Sequence, residues 1–117
     1  MANPNIVNVS TINGKTDVFA LTTTSADLVT ATANTVFKIN SILVSNIDGT
    51  NAANVTLQYN DGSNDRNIAN IISVPAQSTL AVIDKNSSFY LEETEIIKGF
   101  ASANSDLECL VSYEIIS

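Results

Sequence analysis

The sequence predicts an all-β protein, an antiparallel β-sandwich of jelly-roll or immunoglobulin-like type with eight or nine short strands. Three observations predict this class. Apolar and polar residues alternate with a period of two along the whole chain, and no segment carries the spacing of an amphipathic helix. Turn-forming residues interrupt the alternation at short intervals. Asn, Ser and Thr number 15, 13 and 12 among 117 residues, which favours strands and turns over helix.

The strongest alternation lies in two segments, and each is expected to turn one face towards the core. The predicted core residues are Val55, Leu57 and Tyr59 in the first segment and Leu107, Cys109, Val111 and Tyr113 in the second. Leu110 and Ile116 then fall on the outer face of the C-terminal strand. Weaker patterns predict further strands at 15–22, 26–31, 35–45, 67–74, 79–84, 88–91 and 95–103. In the third of these segments, Phe37, Ile39 and Leu43 are expected to share a face.

Turn chemistry separates these segments. Asp48-Gly49 and Asp61-Gly62 can supply a positive φ, Pro75 ends a strand ladder, and Asn104-Ser105-Asp106 indicates a tight loop. Residues 1–12, in which Val7 and Val9 alternate with polar residues, are expected to form an edge strand or an arm that reaches a neighbouring molecule. Residues 13–117 are expected to form one sandwich domain.

The charge distribution argues against two classes of partner. Twelve acidic and five basic residues give a net charge of −7. The bases are isolated from one another along the chain: Lys15, Lys38, Arg66, Lys85 and Lys98. Nucleic acid and anionic membrane surfaces are recognised by clustered positive charge, so neither is an expected partner. No apolar run has the length of a membrane span and no leader is evident, so we expect a protein that is made and used without secretion.

The sequence predicts no catalytic activity, no cofactor and no bound metal, so the chain is not expected to be an enzyme. It contains no histidine, the side chain that most often transfers protons near neutral pH and ligates zinc. Cys109 is the single cysteine, so it cannot form an internal disulfide, and its place on an apolar strand face indicates core packing.

Two acidic segments offer alternatives to this interpretation. The loop from Asn60 to Asp65 has the oxygen content of a calcium site but lacks the ligand spacing of the known twelve-residue loop, which favours a solvated hairpin turn. Glu92, Glu93 and Glu95 provide the carboxylates of a glycoside hydrolase, but three acids crowded into one turn are more typical of a solvated surface than of groups facing each other across a cleft.

A glycan-binding module is the main functional alternative, because β-sandwiches often bind sugars on exposed aromatic rings. The sequence contains no tryptophan, and Tyr59 and Tyr113 fall on predicted core faces. Only Tyr90 and Phe100 remain as candidates for outward-facing rings. Such a surface is small for a carbohydrate platform.

Two stretches of the chain have a recognisable pattern. The first begins with Val36-Phe37-Lys38-Ile39 and runs to a hairpin partner at Asn54-Val55-Thr56-Leu57. The second consists of strand and turn patterns at 73–80, 90–93, 101–107 and 112–114. Together they resemble a family of small virion proteins of tailed bacteriophages, found especially in phages of marine bacteria and cyanobacteria. Where the family usually continues the acidic pair with Gly-Asp, this chain has Thr94-Glu95.

The resemblance implies a bacteriophage virion structural protein without enzymatic activity, assembled in the host cytoplasm. A capsid decoration protein that stabilises the head exterior is the first expectation. A tail, neck or baseplate component, or a receptor- or glycan-binding module, is the alternative. The expected partners are other virion proteins, either the major capsid protein or tail proteins, together with further copies of the chain in a homo-oligomer.

Overall fold

The chain forms nine antiparallel strands in the computed structural model, which describes residues 4–5 and 8–117 and contains no helix in those ranges. The strands are β1 (Ile12–Ala20), β2 (Ala26–Thr30), β3 (Val36–Asn46), β4 (Ala53–Asn60), β5 (Asp65–Val74), β6 (Thr79–Ile83), β7 (Phe89–Leu91), β8 (Ile96–Ala101) and β9 (Leu107–Ile116). One sheet has the order β1-β9-β3-β6, with β7 also paired to β3, and the other has the order β2-β8-β4-β5. The predicted β-sandwich is confirmed.

The strand pairing selects the jelly roll over the immunoglobulin-like arrangement. The first strand pairs with the last, β2 pairs with β8, β3 pairs with β6 and β7, and β4 pairs with β5. The chain is therefore one long hairpin whose tip is the β4–β5 turn. Folding this hairpin over itself adds the β3–β9 and β4–β8 pairs and produces two packed sheets, which is jelly-roll topology.

The core lies between the inner faces of the two sheets. Six of the seven predicted core residues are buried: Val55, Leu57, Leu107, Cys109, Val111 and Tyr113. Tyr59 is half-buried, because its ring packs on the core while its hydroxyl reaches out to Glu95. Full burial of a large aliphatic side chain contributes roughly 1.5–3 kcal/mol, so these faces carry most of the stabilisation.

The prediction that Leu43 shares a face of β3 with Phe37 and Ile39 is wrong. Phe37 and Ile39 are buried as expected, but the next buried residues are Ile42 and Val44, and Leu43 is half-buried on the outer face. The cause is a β-bulge, since Ile39 pairs with Tyr113 and the next pair joins Ser41 to Ser112. One extra residue, Asn40, reverses the inward and outward assignment of everything after it.

Ile116 is also not the exposed outer-face residue that the alternation predicts. Its outward orientation follows from the register, but only 5% of it is exposed. It pairs with Ile12 on one side and with Val36 on the other, and Val36 is buried as well. Cross-strand neighbours therefore cover part of Ile116, and it is not available to another molecule. Leu110, its counterpart further along β9, is half-buried.

The N-terminal segment joins the sheet at the end of β9. The backbone N–H groups of Ser10 and Thr11 both donate to the carbonyl of Ser117, and the N–H of Ser117 donates back to Thr11. Regular strand structure begins at Ile12, inside the segment expected to be an arm or edge strand. Val7, which contributed to that expectation, lies outside the described residues.

Of the two Asp-Gly turns, only one uses a positive φ. Gly62 has a φ of 98°, which glycine tolerates because it lacks a Cβ. Neither Asp48 nor Gly49 adopts a positive φ. In that loop the Asp48 carboxylate instead accepts hydrogen bonds from the backbone and side chain of Thr50, at 2.9 and 3.1 Å.

Candidate functional site

In the acidic turn between β7 and β8, carboxylates accept hydrogen bonds from nearby backbone and side-chain groups. Glu95 Oε1 accepts hydrogen bonds from the Glu92 backbone N–H at 2.8 Å and from the Tyr59 hydroxyl. Glu93 Oε2 accepts a hydrogen bond from the Asn34 backbone N–H at 2.7 Å. Burial, followed by the hydrogen bond to Glu95, raises the pKa of Tyr59 above its usual value. These bonds engage the Glu93 and Glu95 carboxylates in holding the turn.

The same turn contains an unusual backbone conformation. Thr94 has a φ of 69°, in the left-handed region that a β-branched residue rarely adopts. Its N–H donates to the Ala31 carbonyl at 2.9 Å, and the Ala31 N–H donates to the Glu95 carbonyl at 3.0 Å. The two bonds attach the turn to the end of β2. The backbone at Thr94 is thus one that glycine would adopt with less strain.

The oxygen-rich loop from Asn60 to Asp65 is the turn of the β4–β5 hairpin. Asp61 Oδ1 accepts hydrogen bonds from the backbone N–H groups of Ser63 and Asn64 at 3.0 and 2.8 Å. The Asn64 and Ser63 N–H groups lower the pKa of Asp61 below its usual value, because they stabilise the ionised carboxylate. Lys98 Nζ lies 3.5 Å from Asp65 Oδ1. The side-chain oxygens therefore cap their own loop, as expected for a hairpin turn.

Cys109 and Tyr113 both lie on the inner face of β9. Cys109 is fully buried, and burial raises the pKa of its thiol to about 12. A thiol of this kind is a poor nucleophile at neutral pH. The Tyr113 ring stacks on Phe37 with centroids 5.2 Å apart, and its hydroxyl donates to Asp17 Oδ2 at 2.6 Å. Both residues serve the packing of the sheet.

The outward-facing aromatic surface consists mainly of Tyr90. All seven aromatic residues lie within the described residues, and Tyr90 alone is exposed, at 43%. Phe100 is half-buried, and Tyr59 packs against Phe89 with ring centroids 5.8 Å apart. A single ring on the short strand β7 offers little area for stacking on a sugar.

The exposed aliphatic side chains concentrate on edge strands. Ile12 and Val18 on β1 are 55% and 62% exposed, and Ile71 and Ile72 on β5 are 65% and 39% exposed. Each of these strands ends its sheet, so each has a backbone edge without a neighbour among the described residues. Exposed apolar side chains beside an open backbone edge are typical of strands that pair with another chain.

The bulge in β5 was not anticipated from the sequence. Asn70 and Ile71 together lie opposite the single residue Thr56, and Ile71 has a φ of 51°. The Ile71 N–H donates to Thr56 Oγ1 at 3.3 Å, and Thr56 is 5% exposed although it points to the outer face. The one signal in the sequence was the Ile71-Ile72 pair, in which two large apolar residues interrupt the alternation.

The described ranges lack two further features. They contain no cluster of three or more Cys, Asp, Glu or His residues placed to hold a metal ion. They also contain no helix of sufficient length and hydrophobicity to cross a membrane.

Comparison with known proteins yields a likeness at the level of the fold. No family model and no curated protein matches the sequence. Among solved structures, the chain is similar to one of the endospore appendages of Bacillus, described as a novel family of disulfide-linked pili. The TM-score is 0.55 at 12% identity, and the match covers 92% of this chain and 87% of the other. At this identity the comparison supports the jelly-roll fold and nothing finer.

Proposed function

We propose that this chain is a non-catalytic structural protein of a tailed bacteriophage virion, a decoration protein that stabilises the capsid exterior as a homo-oligomer. The observation that carries the proposal is the placement of exposed aliphatic side chains on the edge strands β1 and β5. A sandwich with a complete core and apolar open edges is suited to lateral contact with other subunits.

The chemistry of the surface supports a structural role. Among the carboxylates that most resembled a catalytic or calcium-binding set, Asp61 and Glu95 accept hydrogen bonds from backbone N–H groups of their own turns. Glu93 accepts one from the backbone N–H of Asn34. The resemblance to small phage virion proteins points in the same direction. Jelly rolls occur in viral capsids and also in lectins and enzymes, so the fold is compatible with the proposal without requiring it.

A disulfide linkage like that of the pilus of similar fold is not open to these residues. The neighbouring structure is described as a disulfide-linked pilus. The single cysteine of these 117 residues, Cys109, is fully buried on the inner face of β9 and cannot reach another subunit without unfolding. Contacts made by these residues would therefore be non-covalent. With a net charge of −7, docking onto a less acidic or locally basic capsid surface should weaken as salt is added.

Electron microscopy of the particle tests this proposal. A decoration protein should be present in many copies spread over the capsid lattice. A small ring of copies confined to the neck, tail or baseplate would contradict capsid decoration and favour the tail-component alternative. Antibody labelling of the chain on purified particles would serve as an independent measurement of position.

A receptor- or glycan-binding role would require an exposed binding surface and is tested separately. The exposed ring of Tyr90 would have to carry the contact, so Tyr90→Ala should weaken binding of the isolated protein to host cells or to a glycan array. The variant Tyr59→Phe, which keeps a half-buried ring and removes only its hydroxyl, is the control. An array without hits for the wild-type protein would argue against this role.

A further inference from the structure

Among the strands at the edges of the two sheets, β1 has the longest uninterrupted pairing. It pairs with β9 in unbroken register from Ile12 to Ala20. The register of β2 shifts between Asp27 and Val29, that of β5 shifts twice, and β6 and β7 share one side of β3 as two short pieces. Bulges and short strands obstruct the addition of another strand, so within the part of the chain that the structure describes β1 presents the most regular open edge.

The hydrogen bonds to β9 show which backbone groups of β1 point to the open side. Thr11 and Ser117 exchange both of their hydrogen bonds, and the Leu21 N–H donates to Leu107. Bonded and non-bonded pairs alternate along an antiparallel ladder. The odd-numbered residues of β1 therefore bond to β9, and the even-numbered residues direct their N–H and C=O groups outwards. The outward set is Ile12, Gly14, Thr16, Val18 and Ala20.

We propose that β1 pairs with β1 of a second copy of this chain, antiparallel and about a two-fold axis at Thr16. In this register Thr16 lies opposite its own counterpart, Gly14 lies opposite Val18, and Ile12 lies opposite Ala20. All outward-directed backbone groups then meet outward-directed groups of the other copy. Such an interface is closed and self-complementary, and it joins the two β9-containing sheets into one.

The charges on β1 select this register. Lys15 and Asp17 lie two residues apart on the same face, with Lys15 Nζ 3.8 Å from Asp17 Oδ1. Pairing centred on Thr16 places Lys15 of each copy opposite Asp17 of the other. Moving the axis by one residue would place Lys15 opposite Lys15 or Asp17 opposite Asp17. Opposite charges across a strand pair are stabilising, and like charges are destabilising.

The side-chain sizes fit the same register. Val18, which is 62% exposed in the single chain, lies opposite Gly14, where a side chain is missing. A Cβ built at Gly14 meets no atom within 4 Å, so the space beside it is open. Ile12, 55% exposed, lies opposite the small side chain of Ala20. Each large apolar residue on the β1 edge thus covers a small residue of the second copy.

The β1 pairing adds to the proposed function because it names a second copy of the chain as a partner. It rests on that function only for its biological setting. Sedimentation velocity of the full chain at several concentrations tests it. Wild-type protein should form a dimer. In Lys15→Glu, two opposite-charge pairs become like-charge pairs, and the dissociation constant should rise roughly tenfold or more. Lys85→Glu makes the same change of charge in the exposed turn after β6 and should dimerise like wild type.

Residue-resolved amide hydrogen exchange gives a second measurement. The N–H groups of Gly14, Thr16 and Val18 should be protected in concentrated wild-type protein and exchange quickly on dilution. Those of Lys15 and Asp17, which face β9, should stay protected in both conditions. A wild-type protein that stays monomeric, a Lys15→Glu dimer as tight as wild type, or protection without this alternation would overturn the pairing.

The two proposals can fail separately. A protein that forms the β1 dimer but is missing from the virion exterior refutes the decoration role alone. A capsid-bound protein whose association is unaffected by Lys15→Glu refutes the β1 pairing alone.

Discussion

The strands β9 and β5 are each ten residues long and rich in apolar residues. However, β9 lies inside one sheet and β5 ends the other. β9 has a strand on both sides, and alternate residues from Leu107 to Tyr113 are buried. Within the described ranges, β5 has one neighbouring strand and two shifts of register, and Ala69 and Val74 are its only buried residues. Its three isoleucines, Ile68, Ile71 and Ile72, are exposed or half-buried.

The difference shows that strand propensity does not decide burial. Ile, Val and Tyr favour any pleated and partly buried surface, and both strands contain such residues. Between two hydrogen-bonded neighbours, β9 keeps one regular register with β1 over nine pairs. At the sheet edge, β5 has a partner strand on one side only among the described residues, and it takes up extra residues as bulges opposite β4. The two strands are therefore expected to respond differently to similar substitutions.

The largest expected effect is in β9. Leu107→Ala removes a fully buried side chain and should lower the free energy of unfolding by about 3 kcal/mol, because a cavity remains in the core. Leu110→Ala makes the same chemical change on the half-buried outer face of the same strand and should cost about 1 kcal/mol. Urea denaturation measures both. Equal losses would contradict the assignment of the two faces.

The next effect concerns the β5 bulge. Thr56→Val keeps the shape of the side chain but removes the oxygen that accepts the Ile71 N–H, and should cost about 1–2 kcal/mol. Thr79→Val on the exposed face of β6 is the matched control and should change stability little. The measurement is the urea midpoint, together with faster exchange of the Ile71 amide. Unchanged stability of Thr56→Val would mean that the hydroxyl does not hold the bulge.

A pH-dependent effect is expected in β9. Burial and the bond to Asp17 raise the pKa of Tyr113 above its ordinary value of about 10. The folded state therefore favours the neutral phenol, and this stabilisation is complete below about pH 10 and is lost as the pH rises further. Tyr113→Phe should cost about 1 kcal/mol at neutral pH through the lost hydrogen bond.

The loss of stability on going from neutral to alkaline pH should be smaller in Tyr113→Phe than in wild type. Tyr90→Phe, which removes the hydroxyl of an exposed ring, is the control. Urea midpoints measured across the alkaline range compare the three proteins. An identical alkaline loss in wild type and Tyr113→Phe would rule out a contribution from this phenol.

The smallest expected effect is a gain. Ile71 has a φ of 51°, a conformation that is costly for a β-branched residue, and its side chain is 65% exposed. Ile71→Gly should raise the free energy of unfolding by about 0.5 kcal/mol, after allowance for the greater freedom of glycine in the unfolded chain. The neighbouring substitution Ile72→Gly has no positive φ to relieve and should lower stability by about 1 kcal/mol. A thermal midpoint that falls in both variants would contradict strain at the bulge.

Much of the fold was predictable because the alternation that identifies a strand is a local feature of the sequence. Alternation placed Val55, Leu57, Leu107 and Cys109 in the core, and all four are buried. The turn residues around Gly62 marked the end of a hairpin. Leu43 was misassigned because a bulge at Asn40 depends on how β3 meets β9, and that pairing joins residues far apart in the chain. Ile116 was misassigned because its cover comes partly from β1 and β3.

The candidate sites also divide into features that depend on near neighbours in the chain and features that depend on distant ones. Residue types alone indicated that Cys109 packs in the core and that the loop from Asn60 to Asp65 is a turn, since both depend on near neighbours in the chain. The partners of Glu93 and Glu95, which are Asn34 and Tyr59, come from other strands and loops and could not be read from local pattern. The same holds for the bond between Tyr113 and Asp17.

The sequence by itself determined the class of this protein: strands rather than helices, an acidic net charge, and an inner face for each of the strongly alternating segments. These properties follow from the period of the side chains along a strand and from composition, and both are local. The tertiary structure decided the jelly-roll order of the strands, the positions of the bulges and which strand ends each sheet. Those properties arise from long-range pairing, in which one extra residue or one missing neighbour changes which side chains meet water.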